Sequence, residues 1–217
     1  MRIVDLSRNL DTNTPPFPGD NEVEICVTQS KGKQTSGEEG YLNASTICFS
    51  LHTGTHMDAP FHFFNGQPTI DQIPLESCIG PAIRLDLTNR YQQTEIDTGD
   101  LFPYQTLINQ QQNILIETGW GEQWKTQKYF TDYPVLTENA AEFLLSCGVK
   151  LIGIDTPSVD KHPHLAHQIL LGHKILILEN LAHLDQLPDT SFQLIALPLK
   201  ITGRDGSPIR AVARIKE

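Results

Sequence analysis

Basic residues are scarce in this sequence: 16 lysines and arginines face 26 acidic residues, a net charge of −10. No run of lysines and arginines forms a basic patch, which argues against a nucleic-acid or anionic-membrane surface. Cysteine is sparse as well. Cys26, Cys48, Cys78 and Cys147 are widely separated with no CxxC pairing, so no disulfide framework is needed and a reducing cytoplasm is expected. No apolar run approaches membrane-spanning length. The start, Met1-Arg2-Ile3-Val4-Asp5-Leu6, enters a strand-like pattern without the apolar core and cleavage site of a signal peptide. Repeats and low-complexity segments are missing too. What remains reads as a soluble cytoplasmic protein whose 217 residues form one domain over 1–217, long enough to bury about 70% of its unfolded surface.

The chain alternates short strand patterns with few helical ones. Residues 2–8 alternate as a first strand, and Pro15, Pro16, Pro18 and Gly19 then make a stiff connection around Phe17. A half-exposed strand is expected over Glu22–Thr28, a polar loop over Lys31–Gly40, and a β-branched strand over Leu42–Leu51. Further strands are predicted at Ala82–Leu87, Asn113–Glu117, Lys150–Ile154, Lys174–Leu178, Phe192–Leu197 and Ile209–Ile215. Asp100–Gln110 suits a short helix. The clearest helix follows Thr137, which can cap it, with Glu138 and Glu142 complementing the dipole and Gly148 ending it. A short helix near Leu165–Leu171 would carry His167. The pattern is α/β with a mixed β-sheet.

The chemistry concentrates in His52-Thr53-Gly54-Thr55-His56-Met57-Asp58-Ala59-Pro60-Phe61-His62. Three imidazoles and a carboxylate within eleven residues suit a divalent first-row metal. Thr53 and Gly54 weaken any helix and Pro60 would end one, so the donors are expected on a strand end and a tight loop. All eight histidines fall in two clusters: His52, His56 and His62, then His162, His164, His167, His173 and His183. Glu179 ends the apolar run Ile175-Leu176-Ile177-Leu178, where an unpaired charge would be costly. Two distant clusters therefore point to one site built from two loops. His52, His56 and Asp58 form the natural first ligand set and leave positions open for water. Phe61, Phe63 and Phe64 lie beside it as core or as a substrate wall, and Trp120, following a buried strand, is a further contact candidate.

The spacing His52-x-Gly54-Thr55-His56-x-Asp58-x-Pro60-x-His62 resembles the signature of the cyclase-type metal-dependent hydrolases. With Phe17-Pro18-Gly19-Asp20, residues 153–160, Ile177-Leu178-Glu179-Asn180-Leu181, Ala196-Leu197-Pro198-Leu199 and Gly203-x-Asp205-Gly206-Ser207-Pro208, the chain is similar to their bacterial kynurenine formamidase branch. The resemblance implies the swivelling β/β/α fold and a two-metal site in which Asp58 bridges to a second ion held by His167 and Glu179. His164 and His173 stay open as alternatives to His167. It implies hydrolysis of N-formylkynurenine, an aryl formamide, to kynurenine and formate.

Such an ion lowers the pKa of its water from 15.7 towards ~7, and His62 is the expected general acid/base that hands the proton to the departing nitrogen. Phe17, Phe61 and Phe64 are the expected substrate contacts. The branch carries tryptophan where this chain has Phe17, which stacks but offers no N–H donor. Zinc suits the imidazole-rich set, with manganese the alternative for its carboxylates. A homodimer or homotetramer is implied. Two other readings keep the ligands: a hydrolase of another cyclic or aryl amide such as an isatin-like lactam, and a non-catalytic metal-binding protein, which the presence of His62 disfavours.

Overall fold

Three short runs, at residues 113–117, 151–154 and 175–179, are nearly unbroken stretches of isoleucine and leucine, the pattern of strands covered on both faces. In a computed structural model, which describes residues 1–33, 39–90 and 93–216, they form the centre of the molecule. The chain opens with β1 (Arg2–Asp5), β2 (Glu24–Lys33), β3 (Glu39–Cys48) and β4 (His56–Asp58). It continues through β5 (Ile79–Asp86), β6 (Glu95–Ile96), α1 (Thr98–Leu101), α2 (Gln105–Gln110), β7 (Asn113–Glu117) and β8 (Val135–Leu136). The last third holds α3 (Glu138–Ser146), β9 (Leu151–Ile154), α4 (Leu165–Gly172), β10 (Leu176–Glu179), β11 (Phe192–Ile195), β12 (Gly206–Pro208) and β13 (Val212–Ile215).

Nine strands make one mixed sheet in the order β1-β13-β11-β5-β7-β9-β10-β4-β12. The central four, β5, β7, β9 and β10, are parallel, and every flanking pair is antiparallel. Alternate residues of the central strands feed two cores: Leu115, Leu151 and Leu178 join one, while Ile114, Ile116, Ile152 and Ile177 join the other with residues of α3 and α4. That division follows from the two-residue period of a strand. Helix α3 begins as expected, with Thr137 Oγ1 accepting the Ala140 N–H at 3.2 Å.

Several boundaries differ from the sequence reading. β1 stops at Asp5, where the chain turns through a hydrogen bond from Ser7 N–H to the Asp5 carboxylate. Of the expected loop at Lys31–Gly40, residues 31–33 and 39–40 are ribbon, since β2 and β3 pair from Glu24↔Cys48 out to Lys33↔Glu39; residues 34–38 lie outside the described residues. Strand pairing across a hairpin overrides the weak β-propensity of the polar residues there. The strand expected from Ile209 begins at Val212, while Ile209 makes an isolated bridge to Pro198 and donates its N–H to the Thr55 carbonyl.

The sheet register places the chemistry. His56 and Asp58 are two residues apart on β4 and share a face. Across the β10–β4 pairing, Glu179 stands opposite His56 and Ile177 opposite Asp58. The same strand pairs on its other edge with β12, setting Gly206 opposite Asp58.

Candidate metal centre

Each ligand-type histidine has one ring nitrogen tied outward and the other aimed inward. Gly54, at φ +67°, turns the chain so that its carbonyl accepts a hydrogen bond from His56 Nδ1–H at 2.8 Å. A β-carbon would strain that left-handed backbone. The bond leaves His56 Nε2 as the inward lone pair, 3.4 Å from Asp58 Oδ1 and 3.4 Å from Glu179 Oε2. His167, on α4, has Nδ1 2.6 Å from Asp160 Oδ1 and turns Nε2 toward Asp58 Oδ2 at 3.6 Å and Glu179 Oε1 at 3.4 Å. His52 has Nε2 2.6 Å from Asp205 Oδ2 and its Nδ1 2.8 Å from Asp58 Oδ1. Outer carboxylate or carbonyl partners that orient imidazoles in this way are the usual companions of metal-ligating histidines.

Among the described residues four donor groups form, of which two, His52, His56 and Asp58 and then Asp58, His167 and Glu179, meet at Asp58; the other two, His52, His62 and Asp205 and then Asp160, His164 and His167, flank them. Asp58 belongs to both of the first two, one oxygen turned to each. His56 Nε2 and both Asp58 oxygens are buried with no hydrogen-bond partner of acceptable geometry. Such buried atoms are costly unless something fills their valences, and two carboxylates buried around shared imidazoles call for a cation. The residues therefore fit one or two divalent ions. Of the alternatives left open for the second group, His167 is brought in. His173 instead bonds the Ile169 carbonyl, and His164 Nδ1 sits 2.8 Å from Asp160 Oδ1, the oxygen that His167 Nδ1 also meets.

The electrostatics agree. Burial disfavours charge on His52 and His56, yet the Asp58 carboxylate with its neighbouring acids outweighs it, raising them to about 9 and about 10. Asp58, opposed by burial but surrounded by imidazoles, is held well below the usual carboxylate range. Protons and metal ions thus compete for the same inward nitrogens. His62 behaves differently: burial, helped by the charges of His52 and His167, lowers its pKa. It lies at the rim, 31% exposed, with its ring 4.2 Å from that of His52 and its Nδ1 3.7 Å from Asp205 Oδ2. It belongs to neither of the two groups around Asp58.

Above the ligands opens a cavity of about 290 Å³, lined among others by Phe17, Asp20, His62, Phe63, Ser158 and His164. Phe17 is backed edge-on by Phe130 at 5.7 Å. Phe63 stacks on His167 at 4.9 Å. Phe61 and Phe64 do not line this cavity; Phe64 packs into the core, its ring close to Gly172. Trp120 is buried and donates to the Tyr129 carbonyl. A larger cavity of about 430 Å³ lies around Arg8, Glu117 and Asp155, but there Glu117 is paired with Arg84 and Asp155 accepts hydrogen bonds from Thr118 and Gly119. The sequence reading offered Phe63 as core or substrate wall and missed Asp20, Asp160 and Asp205 as parts of the site. Asp20 and Asp205 lie in segments that carried the resemblance, but an aspartate beside a glycine reads first as a turn.

Comparison with known proteins adds three findings. The cyclase family profile matches residues 4–161. A kynurenine formamidase of Bacillus cereus is 36% identical over 214 residues, covering 97% of this chain and 96% of the relative. Isatin hydrolase A from Labrenzia aggregata, solved with benzyl benzoate, superposes with a TM-score of 0.83 at 28% identity, over 100% of this chain and 94% of that one.

Proposed function

We propose that this chain, which belongs to the cyclase family, hydrolyses the formamide of N-formylkynurenine to kynurenine and formate. The observation that carries the reading is Asp58, one oxygen toward His52 and His56 and the other toward His167, with His52, His167 and Glu179 beside it lining a cavity walled by Phe17 and Phe63. Similarity to a kynurenine formamidase over nearly the whole length supports the substrate.

His52, His56, Asp58, His167 and Glu179 would hold the metal, with zinc suited to the imidazoles and manganese to the carboxylates. Bound there, the metal supplies Lewis acidity toward the formyl oxygen and an acidified water. The chain does the rest. Phe17 and Phe63 flank the aryl ring in the cavity, and Asp20 at its mouth faces the α-ammonium of the amino-acid tail. His62 takes the proton of the attacking water and delivers it to the aryl nitrogen as the formyl C–N bond breaks. The hydroxyl stays on the formyl carbon and leaves as formate. Without that proton the amine would be a poor leaving group.

A second reading, opening of a cyclic aryl amide such as isatin, rests on the likeness to isatin hydrolase A. The two differ at Asp20, which makes no ion pair among the described residues, because isatin has no cation to offer it. A charge-assisted hydrogen bond is worth about 1.5–3 kcal/mol. Asp20→Asn is therefore expected to lower kcat/KM on N-formylkynurenine roughly ten- to hundredfold and to leave formanilide, which lacks the tail, unaffected. Initial rates on N-formylkynurenine, formanilide and isatin test both points; isatin turned over as fast as N-formylkynurenine would end the formamidase assignment.

The reading includes a cytoplasmic homodimer. The four free cysteines suit a reducing compartment. Among the described residues the β2–β3 ribbon pairs only with itself, and Val27 and Leu42 on it are 69% and 68% exposed. An isolated two-stranded ribbon is marginal in water. Residues 25–29 and 40–48 carry no charge in a chain of net −10, so two like-charged copies can meet there. Light scattering should give twice 24.3 kDa, and Val27→Lys should shift it toward one chain; a wild-type monomer would refute the dimer.

A further inference from the structure

We infer that Asp205 is a positioning residue that serves two histidines at once, the ligand-type His52 and the proton-transferring His62. The inference rests on the metal-hydrolase reading above and extends it to a residue outside both ligand groups around Asp58. One oxygen, Oδ2, lies 2.6 Å from His52 Nε2 and 3.7 Å from His62 Nδ1. The two rings lie against each other, 4.2 Å apart and tilted by 31°. A carboxylate at that point accepts the Nε2–H of His52, which selects the tautomer whose Nδ1 lone pair points at Asp58 and the ion. The same oxygen lies 3.7 Å from His62 Nδ1, an ion-pair distance, so its charge favours the ring orientation that keeps Nδ1 toward it and Nε2 free.

The backbone holds this carboxylate in place relative to both rings. The Asp205 carbonyl accepts the N–H of Ala59, the residue directly before the turn Pro60–His62 that carries His62. The preceding carbonyl, of Arg204, accepts the Ile70 N–H, and Gly203 N–H donates to Asp71. On the other side Gly206 pairs with Asp58 in the sheet and leaves room for His52: a β-carbon there would come 2.9 Å from His52 Cε1. The loop is thus anchored to the ligand strand and to the His62 turn together, which places the carboxylate beside both histidines.

The test is Asp205→Asn, read first by zinc affinity, measured by competition with a chromogenic chelator and needing no substrate. Outer-shell losses at metal sites run to about 10–100-fold in affinity, and a fall of that size is expected. The second readout is kcat at saturating zinc, on whichever aryl amide the wild type hydrolyses: kcat should stay depressed with KM little changed. In a His62→Ala background, Asp205→Asn should still weaken zinc binding but lower kcat no further. Unchanged zinc affinity would overturn the link to His52, and full recovery of kcat with excess zinc would overturn the link to His62. Asp205→Glu guards against a folding defect: keeping the carboxylate, it should bind zinc more tightly than Asp205→Asn, and equal losses in the two variants would reduce Asp205 to a structural part and end the proposal. Failure of the wild type on N-formylkynurenine would remove the substrate assignment and leave the zinc experiment standing.

Discussion

Asp58→Asn is expected to empty at least one metal position and to lower turnover by roughly 10³-fold or more. The size follows from the several kcal/mol that a metal contributes to a developing oxyanion, at about 1.4 kcal/mol per factor of ten. The direction follows from geometry. Asp58 is the one side chain common to the donor groups of His56 and of Glu179, its Oδ1 near His52 and His56 and its Oδ2 near His167. Asparagine keeps the shape, but it removes the charge and turns an N–H₂ toward one set of inward imidazole nitrogens. Those nitrogens are then left facing a donor instead of sharing a cation. Elemental analysis of the dialysed variant, beside wild type prepared the same way, decides the matter; a full metal complement would show that Asp58 is not a ligand.

His62→Ala should separate the two halves of the chemistry. Metal content is expected to be unchanged, because His62 stands at the rim, with Asp205 Oδ2 its nearest acidic atom at 3.7 Å. Turnover should fall by ~10²–10⁴, the usual contribution of a positioned general acid or base. Burial lowers the His62 pKa, so the ring is predominantly neutral at pH 7 and can accept a proton. His52 and His56, raised by their carboxylates, could not do so as readily, and in the proposed site their inward nitrogens would hold the ion. If metal and activity were lost together in His62→Ala, the residue would be a ligand and the proton would have to move through another group.

The local features of this protein were legible in advance because they depend on neighbours in the chain. Thr137 caps α3 through a bond to a residue three places on, and the central strands declare themselves by apolar runs that only burial on both faces explains. Phe61, Phe63 and Phe64 show the opposite case. Three phenylalanines within four residues look equivalent in sequence, yet after the short turn at Pro60–His62 both Phe63 and Phe64 pack on the core, and of the three it is Phe63 that stacks on His167 and lines the cavity. Which ring reaches the cavity is set by the turn and not by residue type. Asp160 and Asp205 were silent for a related reason, since they act on His167 and His52 through contacts with no periodic signature.

The donor types were determined by the sequence alone: imidazoles and carboxylates at strand-and-turn spacing are of a kind that suits a divalent cation. Which donors share that cation was decided by the tertiary structure, for β4 meets β10 only through pairing between distant segments, and that register sets Glu179 opposite His56. Ligand identity is a property of side-chain type, which any sequence displays, whereas convergence depends on long-range strand pairing and on α4 packing against the sheet, which no local pattern encodes.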